Sequence, residues 1–171
     1  DLSSQLRDLM LHNVNTITQT RFIRDMHAQL RRYADEGAYA AAQISTFFAP
    51  TRSFSLCNAG YPTPLVYRSA TRSWSLLKPT ACDLPTTQAN DSSGVLDENE
   101  YQQFTIRLAP GDMVLGYGNS LAECRPNNAP TLGVSGLLHT LNQLGSSDPD
   151  VIVTKLTSLL TDHSNQSANP A

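Results

Sequence analysis

The sequence has no long apolar run, no paired cysteine motif and little charge of either sign. Because no stretch of about 18 apolar residues occurs, we expect no membrane-spanning helix. A net charge of −3 over 171 residues gives no electrostatic reason to expect a nucleic-acid or anionic-membrane partner. The cysteines Cys57, Cys82 and Cys124 form no CxxC pair, so zinc and redox motifs are absent and reduced thiols in the cytoplasm are expected.

The sequence also lacks a glycine-rich phosphate-binding loop, and its histidines stand apart from possible co-ligands. None of His12, His27, His139 and His163 has a further His, Cys or carboxylate at metal-ligand spacing on one face. We therefore interpret all four as surface or structural residues. The length and the 40% hydrophobic content suffice for a core without metals or disulfides, and they predict one domain over residues 1–171.

Short β-rich segments separated by turns occupy the middle of the chain. The predicted strands lie at residues 44–48, 53–57, 65–67, 74–77, 101–108 and 113–117. Their short separators indicate antiparallel hairpins, with tight turns at 50–52 and 110–112. The irregular, polar stretch at 78–100 is predicted to be an exposed loop.

Apolar residues recur at helical spacing at both ends of the chain. The first third is predicted to be helical up to a candidate C-cap at Gly37, and residues 132–144 form a helical stretch that stops at Gly145. Residues 147–150 are a helix start signal, and the polar residues 164–171 are predicted to be a frayed tail. Helices before and after a run of antiparallel strands predict an α+β fold, with helices covering an antiparallel sheet or pair of sheets.

Residues 115–123 form a strand-to-helix junction that contains Gly118-x-Ser120-x-Ala122, a pattern close to the nucleophile elbow of serine hydrolases. The final small residue is Ala, no HGGG-type oxyanion segment exists, and the parallel βαβ order of that fold is missing. We therefore favour an ordinary tight turn at a sheet edge. The partners that a serine triad requires are Asp148, Asp150 or Asp162 with His139 or His163.

Four segments carry a combination of motifs in a characteristic order. They are Cys57-Asn58-Ala59-Gly60-Tyr61-Pro62-Thr63-Pro64-Leu65-Val66-Tyr67-Arg68, Leu84-Pro85, Gly94-Val95-Leu96 with Tyr101, and Leu108-Ala109-Pro110-Gly111-Asp112-Met113-Val114-Leu115-Gly116-Tyr117-Gly118-Asn119-Ser120-Leu121-Ala122-Glu123. Together they resemble the SpoIIE-type serine phosphatases of bacteria, a branch of the metal-dependent protein phosphatase 2C (PPM) family. That family typically shows NAGHPPPLL, then LPLG, then LxPGDxLLLYTDGLTEA. The resemblance covers residues 1–163, apart from an apparent insertion around 86–93.

The resemblance implies a fold, an activity and a partner. The fold is an α-β-β-α sandwich of two antiparallel sheets flanked by helices. The activity is hydrolysis of phosphoserine or phosphothreonine, assisted by two Mn²⁺ or Mg²⁺ ions that hold a water nucleophile. The implied partner is a phosphorylated regulatory protein, of the anti-anti-sigma kind, in a bacterial partner-switching or stress-response circuit. The apolar residues of the first helical stretch leave both a homodimer and ordinary core packing open.

The chain departs from the family pattern at its metal ligands. Asn119 aligns with the Asp of YTDG, Tyr61 stands where the family usually has His, and Ser120 stands where it has Gly. The GDVSGHG motif and the last Asp-Asp pair are missing. An amide oxygen can ligate a hard cation but brings no negative charge, so the metal affinity should be lower. Asn119 is therefore the candidate metal-side residue of this chain, with Gly118 and Ser120 shaping the same turn.

Two hypotheses explain these departures, and they are compatible. Either the chain is a trimmed piece of a phosphatase domain, or the domain is a degenerate relative. We expect a phosphatase-type domain of a signalling protein. The sequence does not decide whether this domain is an active enzyme, and we assign no residue as catalytic. The alternative is a catalytically inactive pseudophosphatase that serves as an interaction or regulatory module. Asn58, Gly60 and Pro62 are interpreted as structural turn residues.

Overall fold

The computed structural model describes residues 41–78, 101–125 and 130–167, together with single positions nearer the start of the chain. Those positions are Ser4, Arg7, Asp8, Leu11, Gln19, Arg21, Phe22, Ile23 and Asp25, and all of them are helical, as the sequence predicts. Of Tyr101 and residues 162–167 the backbone alone is described. The predicted C-cap at Gly37, the predicted loop from residue 79 to 100 and Cys82 lie outside the described residues.

The described strands and helices follow in the order that the sequence predicts. The strands are β1 (Ala42–Phe48), β2 (Ser53–Ala59), β3 (Leu65–Arg68), β4 (Ser73–Leu76), β5 (Tyr101–Arg107) and β6 (Met113–Leu115). The helices are α1 (Asn119–Glu123), α2 (Gly133–Leu144) and α3 (Pro149–Ser167). The strands form two antiparallel sheets in the orders β1-β2-β5 and β4-β3-β6. The structure therefore confirms an α+β fold with antiparallel sheets.

The chain divides into two compact units, and each holds one sheet. Unit 1 comprises Asp1–Tyr61 and Lys78–Arg107, and unit 2 comprises Pro62–Leu77 and Leu108–Ala171. In unit 1, Ile23 packs with Cys57 and Ala59 of β2, because the small side chains of that strand face leave room for the helical segment. The turn between β1 and β2 closes with Arg52 in the left-handed region (φ 53°), where its amide donates to the carbonyl of Ala49 at 3.1 Å.

Unit 2 packs two helices and the short α1 onto the second sheet. Its core contains Leu65, Tyr67, Trp74, Tyr117, Leu121, Cys124, Leu137, Leu141, Ile152, Leu156 and Leu159. The side chain of Asn142 fixes α2 to β4: its Oδ1 accepts from the Trp74 amide at 2.8 Å, and its Nδ2 donates to the Trp74 carbonyl at 3.2 Å. Burial of this apolar stripe is the main stabilising contribution of the two helices.

The ends of α2 and α3 follow the sequence signals. Helix α2 ends at Gly145, whose φ of 62° is the left-handed C-cap conformation that glycine adopts without steric cost. Helix α3 begins after Asp148, whose Oδ1 accepts a hydrogen bond from the Asp150 amide at 2.9 Å. The predicted frayed tail is wrong over 164–167, because α3 continues to Ser167 and no helix breaker occurs before Pro170. No helix in the described part of the chain is long and apolar enough to cross a membrane.

Removal of the α3 cap should destabilise unit 2. Asp148→Ala leaves the Asp150 amide without its acceptor, so we expect the free energy of unfolding to fall by about 1 kcal/mol. Urea unfolding measures this loss. Ser147→Ala, at the neighbouring exposed position, is the matched control and should change little. Equal stability of Asp148→Ala and Ser147→Ala contradicts the capping role.

Candidate functional site

The junction between β6 and α1 presents two polar side chains to solvent. After β6 the chain stays extended through Gly118 (φ −85°, ψ 166°), and α1 then begins at Asn119 without a side-chain cap. The amide of Leu121 donates to the Gly118 carbonyl at 3.2 Å, and the Leu121 side chain is buried in the unit 2 core. Asn119 and Ser120 are exposed on the opposite side of this single turn. The candidate site residues Gly118, Asn119 and Ser120 thus lie together, in the turn that the sequence predicts, although the turn continues into a short helix.

A buried tyrosine ties this junction to the segment before β3. The Tyr117 hydroxyl donates to the backbone carbonyl of Thr63 at 3.0 Å, and burial raises the pKa of Tyr117 above its ordinary value. The next residue, Pro64, is buried and accepts from the Leu77 amide at 2.9 Å. The residues just before Asn119 are therefore fixed to the segment that enters β3.

Asn58 and Gly60 belong to a separate turn at the end of β2 in unit 1. The Asn58 side chain is 2% exposed, its Nδ2 donates to the Tyr61 carbonyl at 2.8 Å, and its Oδ1 accepts from Gln43 Nε2 at 3.0 Å. Gly60 has a φ of 78°, a conformation that a side chain would strain. Because both ends of the Asn58 amide are bonded inside unit 1, its geometry is that of a residue that holds a turn.

The Pro110-Gly111-Asp112 turn carries a carboxylate that accepts four hydrogen bonds. Asp112 Oδ1 accepts from the amide and hydroxyl of Ser69 at 2.8 and 2.9 Å, and Oδ2 accepts from the Ala109 amide at 3.0 Å and Arg68 Nη1 at 2.8 Å. Burial opposes ionisation of this carboxyl, but the four hydrogen bonds outweigh it and lower the pKa of Asp112 from 3.8 to about 2. The bond from the Ala109 amide lies within the tight turn that the sequence predicts at 110–112.

The sequence analysis missed the contacts that Asp112 makes with Arg68 and Ser69. These residues are separated from it by 44 and 43 positions, and no local pattern reveals a contact at that separation. The one sequence signal for these contacts was that the segment ending at Arg68 and the segment containing Asp112 belong to the same set of family motifs. The glycine of this turn is also required, because φ at Gly111 is 83° and an added Cβ would lie 3.2 Å from the Ser69 Cβ.

The described residues do not by themselves fit a two-metal centre. No three His, Cys, Asp or Glu side chains within the described ranges could hold a metal ion. In unit 2, Asp112 is engaged by Arg68, and Asp148 caps α3. Glu123 is the last residue of α1, and Asn119 is the first. The first turn of α1 therefore contains no acidic residue beside the Asn119 side chain. A divalent centre of the phosphatase type needs several carboxylate oxygens, so its other ligands have to come from outside the described residues.

Ser120 does not have the surroundings of an activated nucleophile. The serine nucleophile of a Ser-His-Asp triad needs the histidine within hydrogen-bond reach. Ser120 is exposed on α1, and no described histidine donates to or accepts from its hydroxyl. His139 is exposed on α2, and the side chain of His163 lies outside the described part of α3. The geometry gives no support to the serine-hydrolase hypothesis.

Two antiparallel sheets with packed helices agree with the fold that the sequence resemblance to metal-dependent protein phosphatases implies. The sequence profile of the Stage II sporulation protein E (SpoIIE) family matches residues 2–169, so the chain belongs to the SpoIIE family. No curated protein sequence matches it.

Three solved structures share the fold of this chain. The structure of the RsbU and RsbW domains of Rv1364c from Mycobacterium tuberculosis is similar at a TM-score of 0.68 and 20% identity, covering 95% of this chain and 43% of that one. The phosphatase domain of the cell fate determinant SpoIIE from Bacillus subtilis, presoaked in Mn, gives a TM-score of 0.58 at 14% identity, covering 94% of this chain and 63% of that one. A second structure of that domain gives 0.52 at 14% identity, covering all of this chain and 67% of that one. The chain thus spans less than two thirds of the first two structures that it resembles.

Loss of the Asp112 charge should destabilise unit 2 in a pH-dependent way. Because the pKa of Asp112 is lowered in the folded state, its contribution is complete above the ordinary value of 3.8 and is lost as the pH falls toward 2. We expect Asp112→Asn to lower the free energy of unfolding at pH 7 by about 2 kcal/mol, and the deficit to shrink at about pH 2.5. Urea unfolding at both pH values measures this difference in the free energy of unfolding, with the variant Asp150→Asn, at an exposed position, as the control. A deficit of the same size at both pH values contradicts the assignment.

Removal of the Tyr117 hydroxyl should loosen the junction that carries Asn119. Tyr117→Phe leaves the Thr63 carbonyl without its donor, and we expect a loss of about 1 kcal/mol in the free energy of unfolding. Tyr61→Phe is the matched control, since the Tyr61 hydroxyl has no hydrogen-bond partner among the described residues. Equal unfolding midpoints of the two variants in urea argue against a role for the Tyr117 hydroxyl.

Proposed function

We propose that this chain is the phosphatase-type domain of a bacterial signalling protein, in a partner-switching or sigma-factor regulatory circuit. The observation that carries the proposal is the family match over residues 2–169, together with the Asp112 turn and the β6–α1 junction in their expected order. The two compact units together form one domain in this proposal. The location that we propose is the cytoplasm, where such a circuit operates.

The reaction that we propose for the intact domain is hydrolysis of phosphoserine in a regulatory protein. Mn²⁺ or Mg²⁺ bound to such a domain lowers the pKa of a bound water and neutralises charge on the phosphoryl oxygens. Asn119 is the metal-side residue that this chain contributes, through its amide oxygen. The acidic ligands belong to segments outside the described residues. The substrate that we propose is a phosphorylated protein of the anti-anti-sigma kind.

One observation favours a second candidate, a catalytically inactive pseudophosphatase. The exposed side chain at the β6–α1 junction is an amide, where the family pattern has a carboxylate. An uncharged ligand weakens the binding of a hard cation. In this alternative the domain keeps the fold and recognises the phosphoprotein without hydrolysing it.

Phosphate release from phosphoserine peptides in the presence of Mn²⁺ distinguishes these two functions. The enzyme hypothesis predicts hydrolysis that EDTA abolishes and that Asn119→Asp raises by at least about tenfold, because the added carboxylate strengthens metal binding. Gln143→Glu adds the same charge at an exposed position of α2 and should leave the rate unchanged. Absence of hydrolysis by the intact domain, both as wild type and as Asn119→Asp, contradicts the enzyme hypothesis and leaves the pseudophosphatase.

A further inference from the structure

The β1–β2 and β3–β4 hairpins, here called the first and the second hairpin, close with the same three residues. The segment is Thr51-Arg52-Ser53 in the first hairpin and Thr71-Arg72-Ser73 in the second. In both, the arginine is left-handed, with a φ of 53° and 51°, and the threonine and serine hydroxyls lie 2.8 Å apart. The residues that end the preceding strands, Phe48 and Arg68, each pair with the serine of their own hairpin. The chain therefore contains two examples of one turn geometry.

Two of the positions at which the hairpins differ are the positions that bond Asp112. The second hairpin has Arg68 and Ser69 there, and the first has Phe48 and Ala49. The side chains of Phe48 and Ala49 contain no hydrogen-bond donor, yet the first hairpin closes with the same geometry. The Arg68 and Ser69 side chains are therefore not needed to form a turn of this kind.

The Arg68 and Ser69 side chains instead reach the turn that precedes β6. Arg68 Nη1 donates to Asp112 Oδ2 at 2.8 Å. Ser69 Oγ lies 2.9 Å from Asp112 Oδ1 and 3.0 Å from the Pro110 carbonyl oxygen. Because β6 has only three residues, its ladder with β3 offers few hydrogen bonds of its own. Such a short strand depends on the contacts made at its ends.

We infer that Arg68 and Ser69 are positioning residues for Asn119. They fix the turn before β6, and the Tyr117 hydroxyl fixes the chain after β6 by its hydrogen bond to the Thr63 carbonyl at 3.0 Å. Asn119 begins α1 two residues after Tyr117, so both contacts determine where it lies. The inference rests on the proposed function only for the metal-side role of Asn119.

Amide hydrogen exchange, followed by NMR on the full chain, tests this inference. The double variant Arg68→Phe/Ser69→Ala gives the second hairpin the residues of the first and removes two of the four hydrogen bonds to Asp112. We expect the Leu121 amide, which is bonded at the start of α1, to exchange at least about tenfold faster. The Trp74 amide, which is bonded to α2 from the second hairpin, should exchange as in the wild type. A general loss of stability in unit 2 would accelerate both amides.

Milder variants give the same test should the double variant not fold. Arg68→Met removes the cation beside Asp112 and should accelerate exchange of the Leu121 amide, whereas Arg68→Lys retains a cation and should restore most of the protection. Arg72→Asn is the matched control: it removes a positive charge from the same turn, Arg72 is exposed and gives none of the four bonds to Asp112, and Asn tolerates the left-handed conformation. It should exchange as the wild type does.

Four results overturn the inference. They are unchanged exchange of the Leu121 amide in Arg68→Met, acceleration that the Trp74 amide shares, equal acceleration in Arg72→Asn, and no rescue by Arg68→Lys. A wild-type Leu121 amide without protection also overturns it, because the junction would then not be held.

Calorimetry with Mn²⁺ connects the positioning role to the candidate site. In the Asn119→Asp background, Arg68→Met should weaken Mn²⁺ binding several-fold, because a displaced ligand binds the cation less well. Equal affinity with and without Arg68→Met contradicts the positioning role. If Asn119→Asp itself does not bind Mn²⁺, the proposed metal-side role fails, and the exchange measurement still decides whether Arg68 and Ser69 position the junction.

Discussion

The carboxylate of Asp112 accepts four hydrogen bonds, and the second sheet depends on them. They join the turn before β6 to Arg68 and Ser69, at the end of β3. The carboxyl is 3% exposed, so its charge persists only because these donors replace water. Since β6 leads directly to Tyr117 and Asn119, the same four bonds also fix where the candidate site begins. The Pro110-Gly111-Asp112 turn, which the sequence predicts only as a tight turn, thus fixes the position of the β6–α1 junction that follows it.

The sequence predicted the strands and the main helices because their signals are local. Alternating apolar residues, the Gly145 cap and the Asp148 start signal each act within a few positions, and the structure has all three. The contacts that position the candidate site join residues that are far apart in the sequence. The bonds from Asp112 to Arg68, from Asn142 to Trp74 and from Tyr117 to Thr63 join residues 44 to 68 positions apart. No periodicity carries that information, so the sequence indicated the candidate residues and not the network that holds them.

At residue 119 of the β6–α1 junction, the chain has an amide where the family pattern has a carboxylate. Leu121 and Cys124 are buried and hold α1 in the core, so the backbone of the turn is fixed whatever side chain residue 119 carries. In the metal-side role that we propose for it, Asn119 offers an oxygen ligand without a charge, and such a ligand binds a hard cation less tightly than a carboxylate does. Fold and metal affinity are therefore separable at this position.

The central claim is that residue 119 is on the metal side of a SpoIIE-type domain and that its amide weakens metal binding. Calorimetric titration with Mn²⁺ of the wild type, Asn119→Asp and Gln143→Glu tests it most directly. The account predicts that Asn119→Asp binds Mn²⁺ at least about tenfold more tightly than the other two proteins. Equal affinity of all three proteins, or no binding by any of them, contradicts the claim.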